Sequence, residues 1–264
     1  MSSIRPPSKS LFRPDTRIDQ SVLHENQSLL ASIERRNVLK GALSLGALAL
    51  LTGCDVTEND QVQVALRAVS RWNDHAAAAL FRQNHLAPTY APSQVLKPPR
   101  FNAHYEVEDV KPIDGMTWKL ELFGRIADKT PWTAARLAAL PEQTMIIRHI
   151  CVEGWDYIGE WSGVNLRAFL QQVGADTNAK YVFFRCADGY TESLDMATAT
   201  HPQTMLAMKY AGEVLPDPFG YPLRLRTATK LGFKNAKWLT ALEVTNEFQE
   251  TYYSKEGFNW FSGI

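Results

Sequence analysis

The chain is predicted to be an α+β protein, because three features of its pattern point the same way. Strand-length apolar runs and short helical periods follow one another in mixed order, proline-bearing loops separate them, and no internal repeat or low-complexity tract appears. From Gln61 to about Arg82 the residues Val62, Leu66, Val69, Trp72, Ala76 and Leu80 recur every three or four positions, which predicts an amphipathic helix. Pro88, Pro92, Pro98 and Pro99 make residues 84–100 an extended connector. Met116 to Ile126 sets Trp118, Leu120 and Leu122 against Lys119 and Glu121, the alternation of a half-buried strand. Thr130 before Pro131 predicts the cap and first turn of a short helix ending near Leu140. Met145 to Cys151 reads as a buried strand. Ser162 is the expected cap of a helix with Leu166, Phe169, Leu170 and Val173 on its inner face, stopped at Gly174. Tyr181 to Cys186 and Trp238 to Phe248 are two more strands.

Whole-chain numbers narrow the function classes. The 264 residues are 45% hydrophobic and 21% charged, enough for a sizeable core and against global disorder. Lysine plus arginine and aspartate plus glutamate are balanced at 28 each, so there is no electrostatic case for a nucleic-acid partner. Cys54, Cys151 and Cys186 are too few for a disulfide scaffold, and no C-x-x-C pair suggests structural zinc.

The N-terminus carries an address. Arg35 and Arg36 precede the apolar run Gly41 to Leu51, which is too short to cross a ~30 Å hydrocarbon layer as a helix. Paired arginines before such a run resemble a twin-arginine export signal, with an ordinary secretory signal or an amphipathic helix as alternatives. Leu51-Thr52-Gly53-Cys54 resembles a bacterial lipobox, in which Cys54 would be lipidated, although a plain cleavage site or an uncleaved anchor beside a chance cysteine fits too. Either way a periplasmic location is expected, with the membrane touched only through that anchor. The expected organisation is a signal over 1–53, a helical and extended segment over 54–100, the main domain over 101–250 and a tail over 251–264.

Chemistry concentrates at Arg148-His149-Ile150-Cys151-Val152-Glu153-Gly154-Trp155. A cysteine at the end of an apolar strand, followed by a glycine- and aromatic-rich turn, places a thiol at the mouth of a sheet. Taken alone, Cys151 and Cys186 are as compatible with a disulfide or two core thiols. His149 and Cys151 share a strand face, which suits a shared metal or a packed core histidine. Trp155, Tyr157 and Trp161 suit a substrate funnel or packing under a loop. Asp156, Asp188 and Asp195 fit solvated loop positions or proton donors, and Arg148 and Arg185 fit an oxyanion site or structural ion pairs.

The octet around Cys151 resembles the metal-ligating segment of the sulfite-oxidase-like molybdopterin family, especially its periplasmic protein-methionine-sulfoxide reductase branch. Phe101-Asn102-Ala103-His104-Tyr105-Glu106, His201 to Ala207, Gly220 to Leu225 and Gly232 to Trp238 resemble further family blocks, in order, across residues 100–248. The resemblance implies an α+β sulfite-oxidase-type fold with mixed sheets, short helices and long loops. It implies one molybdopterin with molybdenum per chain, Cys151 supplying the metal's protein sulfur, and oxygen-atom transfer on a small or methionine-sulfoxide-type substrate. It places Asn102, Tyr105, Glu106, Cys186, Asn235 and Ala236 at the cofactor, with Arg224 and Lys237 for its phosphate. Electrons would pass through a separate membrane cytochrome b or periplasmic haem protein. Because only residues 249–264 follow the stretch that resembles the family, no dimerisation domain is expected and the protein should be a monomer.

Two positions depart from that branch: Cys186 stands where it has threonine, and Phe219 where it has a cofactor-contacting asparagine. They keep open a metal-free lipoprotein of the same fold that acts as a binding or assembly module. A zinc or iron protein using His149 and Cys151 would lack the further ligands a stable site needs.

Overall fold

The fold is described from a computed structural model, over residues 60–103 and 105–264. The signal, the lipobox with Cys54 and His104 lie outside the described residues. The chain divides into two compact units, Met1–Gln63 and Val64–Ile264, and the second contains every element that bears on the site.

Two five-stranded sheets enclose the core, as the mixed pattern predicts. The first has the order β2-β1-β10-β5-β6, with β1 (Lys119–Gly124), β2 (Trp132–Thr133), β5 (Tyr181–Cys186), β6 (Thr191–Asp195) and β10 (Leu239–Thr245). Only β1 and β10 run parallel, Glu121 opposite Ala241; the other pairings are antiparallel. The second has β3 (Glu142–Ile150), β4 (Asp156–Asn165), β7 (Thr204–Tyr210) and β8 (Glu213–Val214) in order, with β9 (Arg224–Thr227) also paired to β7. The main core lies against the first sheet and joins Leu120, Leu122, Phe184, Leu239 and Leu242 to Phe169 and Leu170 of helix α3 (Leu166–Gln172). A smaller cluster of Ile147, Tyr157, Trp161, Met205, Ala207 and Tyr210 covers the opposite face of the second sheet. The proline-bearing connector straps that face: Thr89 bridges Ile147, Leu96 N–H donates to the Ile158 carbonyl, and Tyr210 Oη donates to the Leu96 carbonyl at 2.6 Å.

Two helix starts differ from expectation. Thr133, not Thr130, caps helix α2 (Ala134–Ala138), its hydroxyl accepting from Arg136 N–H, because Trp132 is buried and pairs with Leu120 on β1. Ser162 stays in β4, where its hydroxyl meets Thr144 at 2.8 Å, and Asn165 caps α3 instead. The alternation of β4 is hidden in sequence because both its faces are covered along Trp161–Val164. Helix α1 (Asp60–Leu80) forms where its period predicts, yet Val64, Leu66, Val69, Trp72 and Leu80 are exposed. Its polar side holds it instead: Ser70 donates to Asn259, and the Asp74 carboxylate accepts from the backbone N–H groups of Trp260 and Phe261. Among the described residues no helix is long and apolar enough to cross a membrane.

A fully buried ion pair ties β6 to the loop before β10. Lys234 Nζ donates to Glu192 at 2.5 Å and to the Ser193 carbonyl at 2.7 Å, and the Glu192 carboxylate also accepts from Tyr190 Oη. Removing one partner strands the other charge, which costs about 3–5 kcal/mol. Urea unfolding should therefore show Lys234→Met destabilised by that amount. A loss under about 1 kcal/mol would mean that Glu192 is satisfied without it.

Candidate active site

Two hairpin turns of the same construction, one from each sheet, contribute residues to one cleft. In Cys151-Val-Glu-Gly-Trp the Cys151 N–H donates to the Trp155 carbonyl and Gly154 N–H to the Cys151 carbonyl. In Cys186-Ala-Asp-Gly-Tyr the Cys186 N–H donates to Tyr190 and Gly189 N–H to Cys186 in the same way. Gly154 (φ 89°) and Gly189 (φ 84°) supply the left-handed residue each turn requires. The cleft is lined by Cys151, Val152 and Glu153 from the first turn and by Asp188 and Tyr190 from the second. Asn102, Asn235, Ala236, Lys237 and Trp238 line it from two further segments, and Tyr253 from a third.

Most of the expected site residues meet there. Lys237 Nζ donates to the carbonyl of Asn102 at 2.6 Å and of Pro218 at 3.2 Å, fastening the early segment to the late one. Tyr105 stacks on Trp238 at 5.9 Å and donates to the Asp188 carboxylate at 3.2 Å. Trp238 holds a left-handed backbone (φ 53°), a strained conformation for a bulky residue, fixed by its indole N–H on the Asp217 carbonyl. Arg224 stands behind the lining, its guanidinium donating to the carbonyls of Phe219 and Asn235 and lying 4.6 Å from the Trp161 ring centre. Phe219 thus engages the arginine through its backbone, where a side-chain amide cannot. Cys186 is buried but does not line the cleft, and Glu106 is exposed and outside it.

Both cysteines are free thiols, which removes the disulfide alternative. Burial pushes the Cys151 thiol up, its neighbour Glu153 adds to the rise, and backbone donors partly oppose it. Burial, with Asp188 and Glu192 nearby, holds Cys186 well above the ordinary thiol range. His149 is packed between Trp155 and Tyr157, and both ring nitrogens lack a hydrogen-bond partner. Burial first, then the charges of Arg226, Arg224 and Lys237, keep its imidazole neutral. No cluster of three metal-ligating side chains occurs among the described residues, so a zinc or iron site on His149 and Cys151 has no further protein ligands. Arg148 pairs with Asp156 and Arg185 with Glu243, and Asp195 caps helix α4 (Met196–Ala199), so these charges are structural. Of the three aspartates noted in the sequence, only Asp188 lines the cleft.

Sequence reasoning missed Arg226 and Tyr190. Arg226 is fully buried on β9 and bonds Asn235 Oδ1 and the Arg148 carbonyl, each at 2.7 Å. Alternation along Arg224-Leu225-Arg226 would have put both arginines on one face. Repetition of C-x-[D/E]-G-aromatic would have paired the two turns.

The cation balance tests whether the site suits an anionic cofactor. Arg224, Arg226 and Lys237 are buried, and none has a carboxylate within salt-bridge reach among the described residues. The Nε of both arginines is unpartnered as well. Uncompensated buried cations are costly, so a site built this way suits an anion. A soft thiol beside it suits a thiophilic metal. The residues present fit a molybdopterin.

Residues 104–253 match the family model described as oxidoreductase molybdopterin binding domain. The chain belongs to this family. It is 48% identical, over 229 residues, to the protein of Azospira oryzae named "Putative protein-methionine-sulfoxide reductase subunit YedZ1", covering 87% of each. It is 28% identical over 166 residues to the protein-methionine-sulfoxide reductase catalytic subunit MsrP of Burkholderia mallei, 56% of this chain and 50% of that one. The sulfane dehydrogenase SoxCD of Paracoccus pantotrophus superposes with a TM-score of 0.50 at 21% identity, over 56% of this chain and 42% of its own. That likeness supports the α+β sulfite-oxidase-type fold. The protein is therefore a molybdopterin oxidoreductase related to the methionine-sulfoxide reductases.

Burial first, and Arg224 after it, lower Lys237 to about 6, with Asp188 and Cys186 opposing the shift. The unfolded chain keeps this proton up to about pH 10.4, so between the two values it binds more protons than the folded one. Stability of the cofactor-free protein should therefore rise with pH from about 6.5 to 8.5, and Lys237→Met should flatten that slope. Lys230, lowered to about 7, contributes with the same sign and leaves part of the slope in place. Thermal unfolding across this range checks it, and an unchanged slope in the variant contradicts it.

Proposed function

We propose that the protein is an exported molybdenum enzyme that transfers an oxygen atom to or from a sulfur-centred substrate, taking or giving electrons through a separate haem partner. The observation that carries the reading is the meeting of Cys151 with Lys237 in one cleft, with the carboxylate-free Arg224 and Arg226 buried outside its lining. Cys151 would ligate the metal as its thiolate, Arg224 and Lys237 would neutralise the phosphate, and Asn102, Tyr105, Asn235 and Ala236 would flank the pterin. When bound, the molybdenum supplies the two-electron redox change that accompanies oxygen-atom transfer.

The chain's own groups supply position, charge and exclusion of water. In cofactor-free protein the Cys151 proton is retained at neutral pH, so ligation releases it. The Trp155 indole N–H donates to Glu153 at 2.7 Å, and Arg100 lies over the Trp155 ring at 4.4 Å, which fixes one wall of the turn. Asp188 holds the Tyr105 phenol at the cleft, where a reductive half-cycle needs protons. Next to the cleft, Val152 and Phe258 expose apolar surface that suits a thioether or sulfoxide side chain. Cys186 and Glu106 are assigned to the cofactor by the resemblance of their segments to family blocks alone, since neither lines the cleft.

The two relatives named above carry names as reductase subunits, which supports a methionine-sulfoxide-type substrate and a partner chain for electrons. A membrane cytochrome b or a periplasmic haem protein meets that need. Arg35-Arg36, the apolar run and Cys54 support twin-arginine export, lipid anchoring and a periplasmic site of action. Export of an already folded chain suits a cofactor inserted in the cytoplasm.

Protein expressed with its signal in a molybdenum-competent bacterium should carry close to one molybdenum and one pterin per chain. Cys151→Ser should lose metal and turnover while keeping the fold. Well-folded wild-type protein with neither metal nor pterin would instead favour a metal-free binding module.

A further inference from the structure

Seven buried side-chain nitrogens lack a hydrogen-bond partner among the described residues, and five of them belong to four residues on one face of the second sheet. They are both ring nitrogens of His149, the indole nitrogen of Trp161, and Nε of Arg224 and of Arg226. Their placement follows from register. His149 on β3 lies opposite Tyr157, Trp161 on β4 opposite Met145, and Arg224 and Arg226 on β9 opposite Ala207 and Met205. Met145, Tyr157, Met205 and Ala207 all belong to the smaller apolar cluster or pack against it, so the four polar residues share that face.

The group is connected as well as co-facial. The two guanidiniums lie 4.6 and 5.5 Å from the same Trp161 ring centre. Both hold Asn235, Arg224 through its carbonyl and Arg226 through its Oδ1. Arg226 also donates to the Arg148 carbonyl, the peptide group that leads into His149. A Cβ on Gly232 would fall 2.7 Å from His149 Nε2, so only glycine lets the cleft-lining loop close against that edge of the imidazole. Arg Nε and Trp Nε1 are donors only, and an imidazole always offers at least one. Apolar surroundings that leave so many donors unanswered are matched by an acceptor carrying several oxygens and negative charge.

We propose that His149, Trp161 and Arg226 join Arg224 in a buried oxyanion subsite, whose occupant is the terminal phosphate of the cofactor. This rests on the molybdopterin reading and adds three residues to it. Arg226 brings a second guanidinium and His149 and Trp161 neutral donors, so the phosphate is bound from the second sheet as well as from Lys237.

The test uses the full chain, produced cofactor-free in a host that makes no molybdopterin and also cofactor-loaded, titrated with inorganic phosphate and followed by thermal unfolding. Phosphate should stabilise the cofactor-free form, and Arg226→Met and His149→Phe should each weaken binding about tenfold. Arg226→Lys should recover much of the loss, because it restores charge without rebuilding the bonds to Asn235 and Arg148. His149→Gln, which keeps a donor, controls for misfolding in the same way. The loaded form should not respond, since its own phosphate holds the site. Loaded protein that binds phosphate with the same residue dependence would mean that a free oxyanion is the occupant, overturning the assignment to the cofactor. Phosphate binding indifferent to Arg226 and His149 would overturn the subsite yet leave the molybdopterin reading standing, because that reading fails only if wild-type protein contains no pterin.

Discussion

Positive charge buried without a matching carboxylate is the constraint on which the rest of the site depends. Lys234 has Glu192 and is a structural ion pair of the core. Arg224, Arg226 and Lys237 have no such partner, and they are held by backbone carbonyls, the Asn235 amide and aromatic rings. Carbonyl dipoles and ring faces attract a cation without cancelling it, so the region keeps a net positive field. Burial accordingly lowers Arg224 to about 10 and Arg226 to about 9. An anionic ligand removes the conflict, and the cofactor's phosphate is the anion that membership of the family supplies.

Both sheets are needed to make this arrangement. The first brings Cys186 and its turn, with Asp188 and Tyr190; the second brings Cys151 with Glu153, and Arg224 with Arg226 on β9. Residues 232–238 cross between them, with Asn235 bound to both arginines and Lys237 reaching back to Asn102. That crossing explains why short segments far apart in sequence act as one site. The departures from the reductase branch are accommodated locally, since Phe219 engages Arg224 through its carbonyl and Cys186 is packed as a buried thiol.

Much of this was legible in the residues, for physical reasons that also set the limits. Strand β5 falls on the residues that its pattern predicts, because both ends are marked by a polar or turn-forming residue. The cap of α3 was misplaced because Ser162 is a good cap by type but is held in a sheet by Thr144. Cys151, Asn102, Asn235, Ala236 and Lys237 were recognisable as a set through family blocks, and they meet at the cleft. Glu106 shares a block with Asn102, but backbone direction after Tyr105 carries it to the surface. Arg226 was overlooked because burial of a second arginine depends on strand pairing across β7, which no local pattern reveals.

A crystal structure of the cofactor-loaded protein is the most direct test. The account predicts a phosphate within hydrogen-bonding distance of Arg224 and Lys237, and a metal bonded to the sulfur of Cys151. A cofactor seated elsewhere, with those cations still facing no anion, would contradict it.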